Sequence, residues 1–469
     1  MKVNDKSVGF KPVNTITLTL SVIMPTTIEQ PITRALLISI RTPHVTTEEI
    51  NESLAELERL VSTLGFTVFA TQTQRQNSTK RLSVLGSGKL EELARMTGEI
   101  NSLDSEDALA NIDEHALNDF LSSSKAKSHA NVVVFDCELS PMQLRNVEDI
   151  LGVKVFDRTG IIIEIFSRHA HTRSARLQIE LARLNYLTPR LRSDHSGNSE
   201  RHSGRGKGET IFAIERRKIR DKQAELRREL KNVQNEMQEQ RSSRAQELCV
   251  ALVGYTNAGK SSLMRALTGA EVLIEDKLFA TLDTTVRALS PATQPKILIS
   301  DTVGFIKKLP HDLVPSFHST LEEAKDATLL LYVVDAADQN FRAQLAVVED
   351  VLQQLKLAST NRLLLLNKVD CLTPAEKQAL TLEYPNALQI CTRNAHDIAV
   401  VHQVIQDVLA EQMCTACFNI PYTANGIMGE IHSKMQVLEE QYHEGGIRVT
   451  VKASNVALER LYKMLQQSF

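Results

Sequence analysis

The stretch that decides the fold is Gly254-Tyr255-Thr256-Asn257-Ala258-Gly259-Lys260-Ser261. It fits the P-loop pattern, in which a glycine, four further residues, a second glycine, a lysine and a serine or threonine follow one another. An apolar run at 248–253 precedes it and a helix-like stretch at 262–267 follows it, so a strand, a phosphate-binding loop and a helix are predicted. The glycines allow backbone N–H groups to face phosphate oxygens. We expect Lys260 to contact the β- and γ-phosphates and Ser261 to bind Mg²⁺ through its hydroxyl.

A second motif, Asp301-Thr302-Val303-Gly304, ends the next apolar run at 297–300. A carboxylate at Asp301 can hold Mg²⁺ through water, and the Gly304 N–H can sense the γ-phosphate. Taken alone, a tetrapeptide of this kind is also compatible with a simple turn at the end of a strand. Its distance of about one βαβ unit from the P-loop favours the nucleotide role.

A third motif, Asn367-Lys368-Val369-Asp370, follows the apolar run at 363–366. The Asp370 carboxylate can accept two hydrogen bonds, from N1 and N2 of guanine. Adenine lacks both donors and would leave a buried carboxylate unpaired, a loss on the order of a few kcal/mol. Three motifs in this order therefore favour GTP over ATP.

Two further segments complete the predicted site. Between the first two motifs lies Phe279-Ala280-Thr281-Leu282-Asp283, in which we expect Thr281 to bind Mg²⁺, with Thr285 as the rival. After the apolar run at 387–390 comes Cys391-Thr392-Arg393, whose backbone is expected to contact guanine although the usual Ser-Ala pair is missing. Lys260, Thr281 and Gly304 are the predicted catalytic residues. Phe305 stands where many small GTPases carry a glutamine, and a phenylalanine cannot orient water, so we expect slow intrinsic hydrolysis.

The composition is that of an ordinary globular protein. The 469 residues carry a net charge of -3, with 42% hydrophobic and 24% charged residues, so any nucleic-acid contact must be local. No DNA partner is indicated. No apolar run of about 18 residues predicts an integral membrane segment. Six cysteines in a chain of this length suggest a reduced, cytoplasmic protein rather than a disulfide scaffold.

The alternation of apolar runs and helical patterns predicts an α/β protein in five parts. Residues 1–30 read as a tail, 31–171 as a small α/β domain, and 172–246 as a long helical hairpin that encloses a glycine-rich loop. Residues 247–412 form the P-loop domain, whose strands are apolar throughout and therefore predict a mostly parallel sheet. Residues 413–469 read as strand, helix, strand and helix, a small C-terminal α/β domain.

Over residues 30–469 the chain resembles the HflX family of ribosome-associated GTPases. The segments that carry the resemblance, besides the P-loop, are Gly86-Ser87-Gly88-Lys89, Leu139-Ser140-Pro141, Asp157-Arg158-Thr159, Leu177-Gln178-Ile179-Glu180-Leu181-Ala182, Arg205-Gly206-Lys207-Gly208-Glu209-Thr210 and Phe279-Ala280-Thr281-Leu282-Asp283. The resemblance implies a GTP hydrolase with Mg²⁺ that binds the large ribosomal subunit and its rRNA and splits stalled or idle ribosomes. We also expect a cytoplasmic monomer, and a peripheral membrane-associated fraction stays open. The chain departs from the family at Thr284, Val286 and Lys207, where proline, threonine and proline are usual.

A basic segment surrounds the predicted hairpin loop. Its cations are Arg168, Arg173, Arg176, Arg183, Arg190, Arg192, Arg201, Arg205, Lys207, Arg216, Arg217, Lys218, Arg220 and Lys222. They either form an rRNA phosphate footprint or are solvated and paired with nearby acidic residues, and the resemblance favours RNA. Two other functions stay open: an RNA-binding adaptor that hardly hydrolyses nucleotide, and ATP-assisted RNA remodelling by the N-terminal half.

Overall fold

Three β-sheets organise the part of the chain that the structure describes. The computed structural model describes residues 33–43, 45–76, 84–98, 129–190, 207–244, 247–269, 277–279, 281, 285–307, 323–354, 357, 361–424 and 426–467. Each helix among these residues is too short or too polar to cross a membrane.

The N-terminal sheet is parallel and has helices on both faces. Its strands are ordered β2-β1-β3-β4. The elements are β1 (Arg34–Arg41), α1 (Thr47–Thr63), β2 (Thr67–Arg75), α2 (Ser87–Thr97), β3 (Val132–Phe135), α3 (Pro141–Leu151), β4 (Lys154–Asp157) and α4 (Arg158–His169). Thr46 with Glu49, and Ser140 with Gln143, form capping boxes that start α1 and α3.

A helical hairpin follows, as predicted. It consists of α5 (Arg173–Leu187) and α6 (Lys207–Arg244). Leu177 packs with Leu226 and Val233 in one apolar cluster. Nearer the other end of α5, Gln223 Nε2 donates to Asn185 Oδ1 at 3.0 Å. Later residues of α5 thus meet earlier residues of α6, which makes the two helices antiparallel.

The P-loop domain has a six-stranded sheet in the order β10-β9-β8-β5-β7-β6, and only β6 is antiparallel to its neighbour. Its elements are β5 (Leu248–Gly254), α7 (Lys260–Thr268), β6 (Thr285–Ala288), β7 (Ile297–Asp301), β8 (Leu329–Asp335), α8 (Phe341–Gln354), β9 (Asn361–Asn367), α9 (Pro374–Glu383), β10 (Leu388–Gln389) and α10 (Ala395–Glu411). Because the strands are parallel, the motifs that follow β5, β7 and β9 meet at one edge of the sheet.

The C-terminal unit contains one strand more than the sequence pattern predicted. Its elements are β11 (Cys414–Ile420), α11 (Ile427–Lys434), β12 (Gln436–His443), β13 (Gly446–Ala453) and α12 (Asn455–Gln467). The sheet is antiparallel, in the order β11-β13-β12. β12 is an edge strand whose polar side chains are largely exposed, so it lacks the apolar alternation that marks a half-buried strand.

A buried polar cluster joins the N-terminal sheet to the P-loop domain. Arg158 is 2% exposed and donates to Glu56, to Asp136 Oδ1 at 2.8 Å and to the Lys307 carbonyl at 3.2 Å. The Tyr255 hydroxyl donates to Glu56 and accepts from the Lys307 N–H at 2.6 Å. The second residue of the P-loop therefore turns its side chain toward the N-terminal domain, and only its backbone remains at the loop.

Candidate nucleotide-binding site

The P-loop turns tightly between β5 and α7. Gly259 has a φ of +96°, and a Cβ there would lie 2.2 Å from Asn367 Nδ2, so only glycine fits. The Thr256 N–H donates to the Phe305 carbonyl at 2.8 Å, which fixes the first half of the loop to the segment after β7. The second half is fixed by Asn367 Nδ2, which donates to the Ala258 carbonyl at 2.9 Å. The loop is therefore held from both sides.

Lys260, the first residue of α7, lies inside this loop. Its ammonium donates to the carbonyls of Gly254 at 3.2 Å and Tyr255 at 2.7 Å. Burial lowers the pKa of Lys260 to about 8, and the nearby Asp301 carboxylate acts in the opposite direction. The loop thus holds one buried cation close to backbone amides, which is an arrangement suited to phosphate.

Nucleotide binding should take up a proton in mildly alkaline solution. A phosphate beside Lys260 favours the ammonium, so its pKa rises on binding, and the affinity should fall as the pH rises above about 8. At pH 8.5 about three-quarters of a proton should be taken up per GDP bound, against about one-tenth at pH 7. Calorimetric titration with GDP in buffers of different ionisation enthalpy measures this number. Equal uptake at both pH values would contradict the assignment of Lys260.

Two hydroxyl groups and one carboxylate converge beside Lys260. Ser261 Oγ lies 2.6 Å from Thr281 Oγ1 and donates to Asp301 Oδ2 at 2.9 Å. Asp301 Oδ1 is buried and has no hydrogen-bond partner among the described residues. Burial raises the pKa of Asp301, while Lys260, Ser261 and Thr281 oppose that rise. Thr285, the rival of Thr281, instead begins β6, where it is the register partner of Asp301.

The remaining residues of the second motif divide between core and site. Thr302 Oγ1 donates to the Leu252 carbonyl at 2.6 Å, and Val303 packs in the core. Gly304 faces the loop, because a Cβ there would lie 2.8 Å from Thr256 Cα and 3.1 Å from Lys260 Nζ. Phe305 is 4% exposed and packs in the same core as Val303. Its ring is therefore turned away from the site.

The third motif connects the P-loop to the segment after β10. Asn367 Oδ1 accepts from the Thr392 N–H at 3.4 Å while its amide nitrogen holds the P-loop. Lys368 has a φ of +61°, an unusual conformation for a residue with a side chain. Val369 is buried, and its N–H donates to the Ile390 carbonyl at 3.4 Å. Asp370 lies at the cavity, in the short 3₁₀ helix Val369–Cys371.

Cys391, Thr392 and Arg393 also reach this cavity. The Cys391 N–H donates to Asp397 Oδ2 at 2.8 Å, which fixes the start of the segment. Burial raises the pKa of the Cys391 thiol, and a hydrogen bond to Asp370 acts in the same direction. The thiol stays protonated at neutral pH, so it can donate to the carboxylate of Asp370.

One cavity of about 310 Å³ collects most of the predicted residues. It is lined by Thr256, Asn257, Gly259, Lys260, Ser261, Phe279, Thr281, Gly304, Asn367, Lys368, Asp370, Cys391, Thr392 and Arg393, among others. Phe279 also contacts the N-terminal domain, where its ring meets Phe166 edge-on at 4.6 Å between centroids. Ala280, Leu282 and Asp283 lie outside the described residues.

Sequence reasoning missed two groups near this cavity. One is the cluster of Glu56 and Arg158, which reaches the P-loop through Tyr255. The other is Asp335, the last residue of β8, which pairs with Lys368 at 2.7 Å. Glu56 and Asp335 belong to no contiguous motif, and Arg158 lies in a segment that carries the family resemblance but was given no role in the site. The signal for Asp335 is a carboxylate at the end of an apolar strand.

Comparison with known proteins identifies the family. Three family models match successive parts of the chain: the N-terminal region of GTP-binding GTPases at residues 51–167, their middle region at 169–244, and the 50S ribosome-binding GTPases at 249–368. A GTPase HflX of Gluconacetobacter diazotrophicus is 47% identical over 93% of this chain and 98% of its own length. One of Escherichia coli is 33% identical over 90% of this chain and 94% of its own length.

A crystal structure of a GTP-binding protein from Sulfolobus solfataricus in complex with GDP covers 81% of this chain and 99% of its own, at 22% identity and a TM-score of 0.40. The two GTPase HflX relatives, at 47% and 33% identity, cover 93% and 90% of this chain. The chain therefore belongs to the HflX family of GTPases.

Proposed function

We propose that this GTPase binds the large ribosomal subunit through its helical hairpin and acts in ribosome dissociation or rescue. The observation that carries the proposal is the charge of α6. Eight lysines and arginines between residues 216 and 231 are exposed, against three acidic residues in the same span. Glu225 pairs with Lys222 at 3.0 Å and Glu229 with Arg173 at 3.7 Å, so ion pairing consumes only part of the positive charge.

A basic helix face of this kind is suited to RNA phosphates. Phosphate contacts by lysine and arginine supply affinity that falls steeply with salt, because binding releases counterions. The surface belongs to a chain with a net charge of -3, so its positive charge is local and not a property of the whole protein. The 50S ribosome-binding GTPase description of the P-loop region agrees with an rRNA partner. Such a partner would place the protein in the cytoplasm.

The nucleotide chemistry follows from the site. Ser261 and Thr281 would bind Mg²⁺ directly, and Asp301 would hold it through water, which would supply the partner that its buried Oδ1 lacks. The ion would neutralise charge on the β- and γ-phosphate oxygens. Lys260 and the loop amides would bind the same phosphates, Gly304 would contact the γ-phosphate, and Asp370 would select guanine.

Hydrolysis by the isolated protein should be slow. The buried ring of Phe305 cannot orient water, so the missing group must come from another segment or from the ribosome. The same observation supports a second candidate, an RNA-binding adaptor with little turnover. Phosphate release measured with and without large subunits separates the two. An increase with subunits supports the GTPase cycle, and an equally low rate in both supports the adaptor.

Ribosome binding should depend on the nucleotide and on α6. Sedimentation with large subunits should recover more protein with a non-hydrolysable GTP analogue than with GDP. The triple variant Arg217→Gln, Arg220→Gln, Arg228→Gln should bind more weakly, and the slope of log affinity against log salt should fall by about one for each phosphate contact removed. In a matched variant, three exposed cations of the P-loop domain are replaced by glutamine: Arg265, Arg287 and Lys296. This variant should bind large subunits normally. Equal losses in both variants would count against the hairpin as the contact surface.

A further inference from the structure

An ion pair joins Lys368 of the third motif, which lines the nucleotide cavity, to Asp335, which lies outside all the sequence motifs. Lys368 Nζ lies 2.7 Å from Asp335 Oδ2, and the two side chains are 32% and 19% exposed. The other carboxylate oxygen, Oδ1, accepts from the Ala337 N–H at 3.1 Å. Both oxygens of Asp335 therefore have partners, so the carboxylate has a defined orientation.

The sheet sets the position of this carboxylate. Asp335 ends β8, and Asn367 is its register partner at the end of β9. The Ala336 N–H also donates to the Asn367 carbonyl at 2.9 Å, which ties the turn after β8 to the residue before Lys368. Asp335 thus lies on the same rigid edge as Asn367, and it is placed to receive the side chain that follows.

The side chain of Lys368 requires a partner that holds its ammonium in place. Its φ of +61° is a conformation that residues with a Cβ seldom adopt, and it directs the side chain along the cavity that Asp370 also lines. A lysine stem has four flexible carbons, and a free stem would have to be ordered when the nucleotide binds. With the ammonium held by Asp335, the apolar stem already lies in the cavity wall.

We propose that Asp335 is a positioning residue for guanine nucleotides, which holds the stem of Lys368 as a preformed wall against the nucleoside. Asp370, two residues further on, reads the edge of the base, and the stem covers one of its faces. The contact is to the nucleoside, which GTP and GDP share. The binding of both should therefore depend on Asp335 to the same extent, while the chemical step should not.

The test is the variant Asp335→Asn, which keeps an oxygen for the Ala337 N–H and removes the charge. The affinities for GDP and for a non-hydrolysable GTP analogue should each fall about fivefold. This is the upper end of what a partly exposed ion pair contributes. The KM for GTP should rise by the same factor, with kcat unchanged at saturation. A fall in kcat at unchanged affinity, or normal binding, would overturn the proposal.

Asp338→Asn is the matched control, because Asp338 lies in the same turn but bonds the Asn340 N–H at 2.9 Å and Gln344 Nε2 at 2.8 Å. It should bind both nucleotides normally. Lys368→Met keeps an apolar stem without the ammonium and should lose affinity about as much as Asp335→Asn. The double variant should bind both nucleotides no more weakly than Lys368→Met alone, because both changes break the same contact between Asp335 and Lys368. If the two losses multiply instead, Asp335 acts elsewhere and the proposal fails.

Discussion

Replacing Lys260 with alanine should abolish nucleotide binding and, with it, GTP hydrolysis. The ammonium is the one charged group within the loop backbone, where it donates to two carbonyls and lies near Asp301. Its removal would leave the buried Asp301 without its cation and a triphosphate without a counter-charge. Removing one partner of a buried, hydrogen-bonded charge pair at a binding interface costs about 2–5 kcal/mol or more, so the affinity should fall by about thirtyfold to several thousandfold.

Titration with a fluorescent guanine nucleotide measures this loss, and calorimetry of unfolding shows whether the variant is folded. Lys296→Ala serves as the control, because Lys296 is an exposed lysine of the same domain. The control should bind normally and unfold at the temperature of the unchanged protein. A Lys260→Ala protein that binds nucleotide as tightly as the control would show that the phosphates lie elsewhere.

Much of the site could be predicted because its parts are contiguous motifs on parallel strands. The pattern of glycines, lysine and serine in residues 254–261 predicts the turn without any contact to the rest of the chain. Asp301 and Asn367 each end an apolar strand, and parallel strands place such ends at one edge. That Thr281 and not Thr285 binds Mg²⁺ stays a prediction, and it is consistent with the distance of 2.6 Å between the Ser261 and Thr281 hydroxyls.

What could not be predicted depends on pairing across the fold. Asp335 acquires its partner only through the register of β8 and β9. Arg158 is buried between Glu56 and Asp136, which lie 102 and 22 residues away from it in the chain. β12 is held by its hydrogen bonds to β13, and its largely exposed polar side chains give no periodic signal. For Asp335 and Arg158 the deciding partner is distant in sequence, and for β12 it is the next strand, β13.

Asp370→Asn should change which base the protein prefers. The carboxylate at the cavity can accept from N1–H and from the N2 amine of guanine, and the Cys391 thiol, which lines the same cavity, can donate to this carboxylate. An asparagine has one oxygen and one amine, and its amine would face the N2 amine of guanine. One charge-assisted pair of hydrogen bonds is lost and two donors oppose each other, so the GDP affinity should fall about a hundredfold.

Xanthine carries a carbonyl in place of the N2 amine, so it reverses this clash. The asparagine oxygen can accept from N1–H of xanthine while its amine donates to the new carbonyl. Competition of GDP, XDP, IDP and ADP against a fluorescent nucleotide measures the preference. The unchanged protein should prefer GDP and bind IDP about tenfold more weakly, since inosine lacks one donor. The variant should prefer XDP.

A neighbouring carboxylate provides the control for this change. Asp397 accepts from the Cys391 N–H at 2.8 Å and from Asn394 Nδ2 at 2.9 Å, so it supports the same end of the cavity. Asp397→Asn should weaken all four nucleotides without reversing the order, because it loosens the segment and leaves Asp370 in place. If Asp370→Asn also kept GDP first, the base would not be read by this carboxylate, and the orientation of the nucleotide along the cavity would have to be reversed.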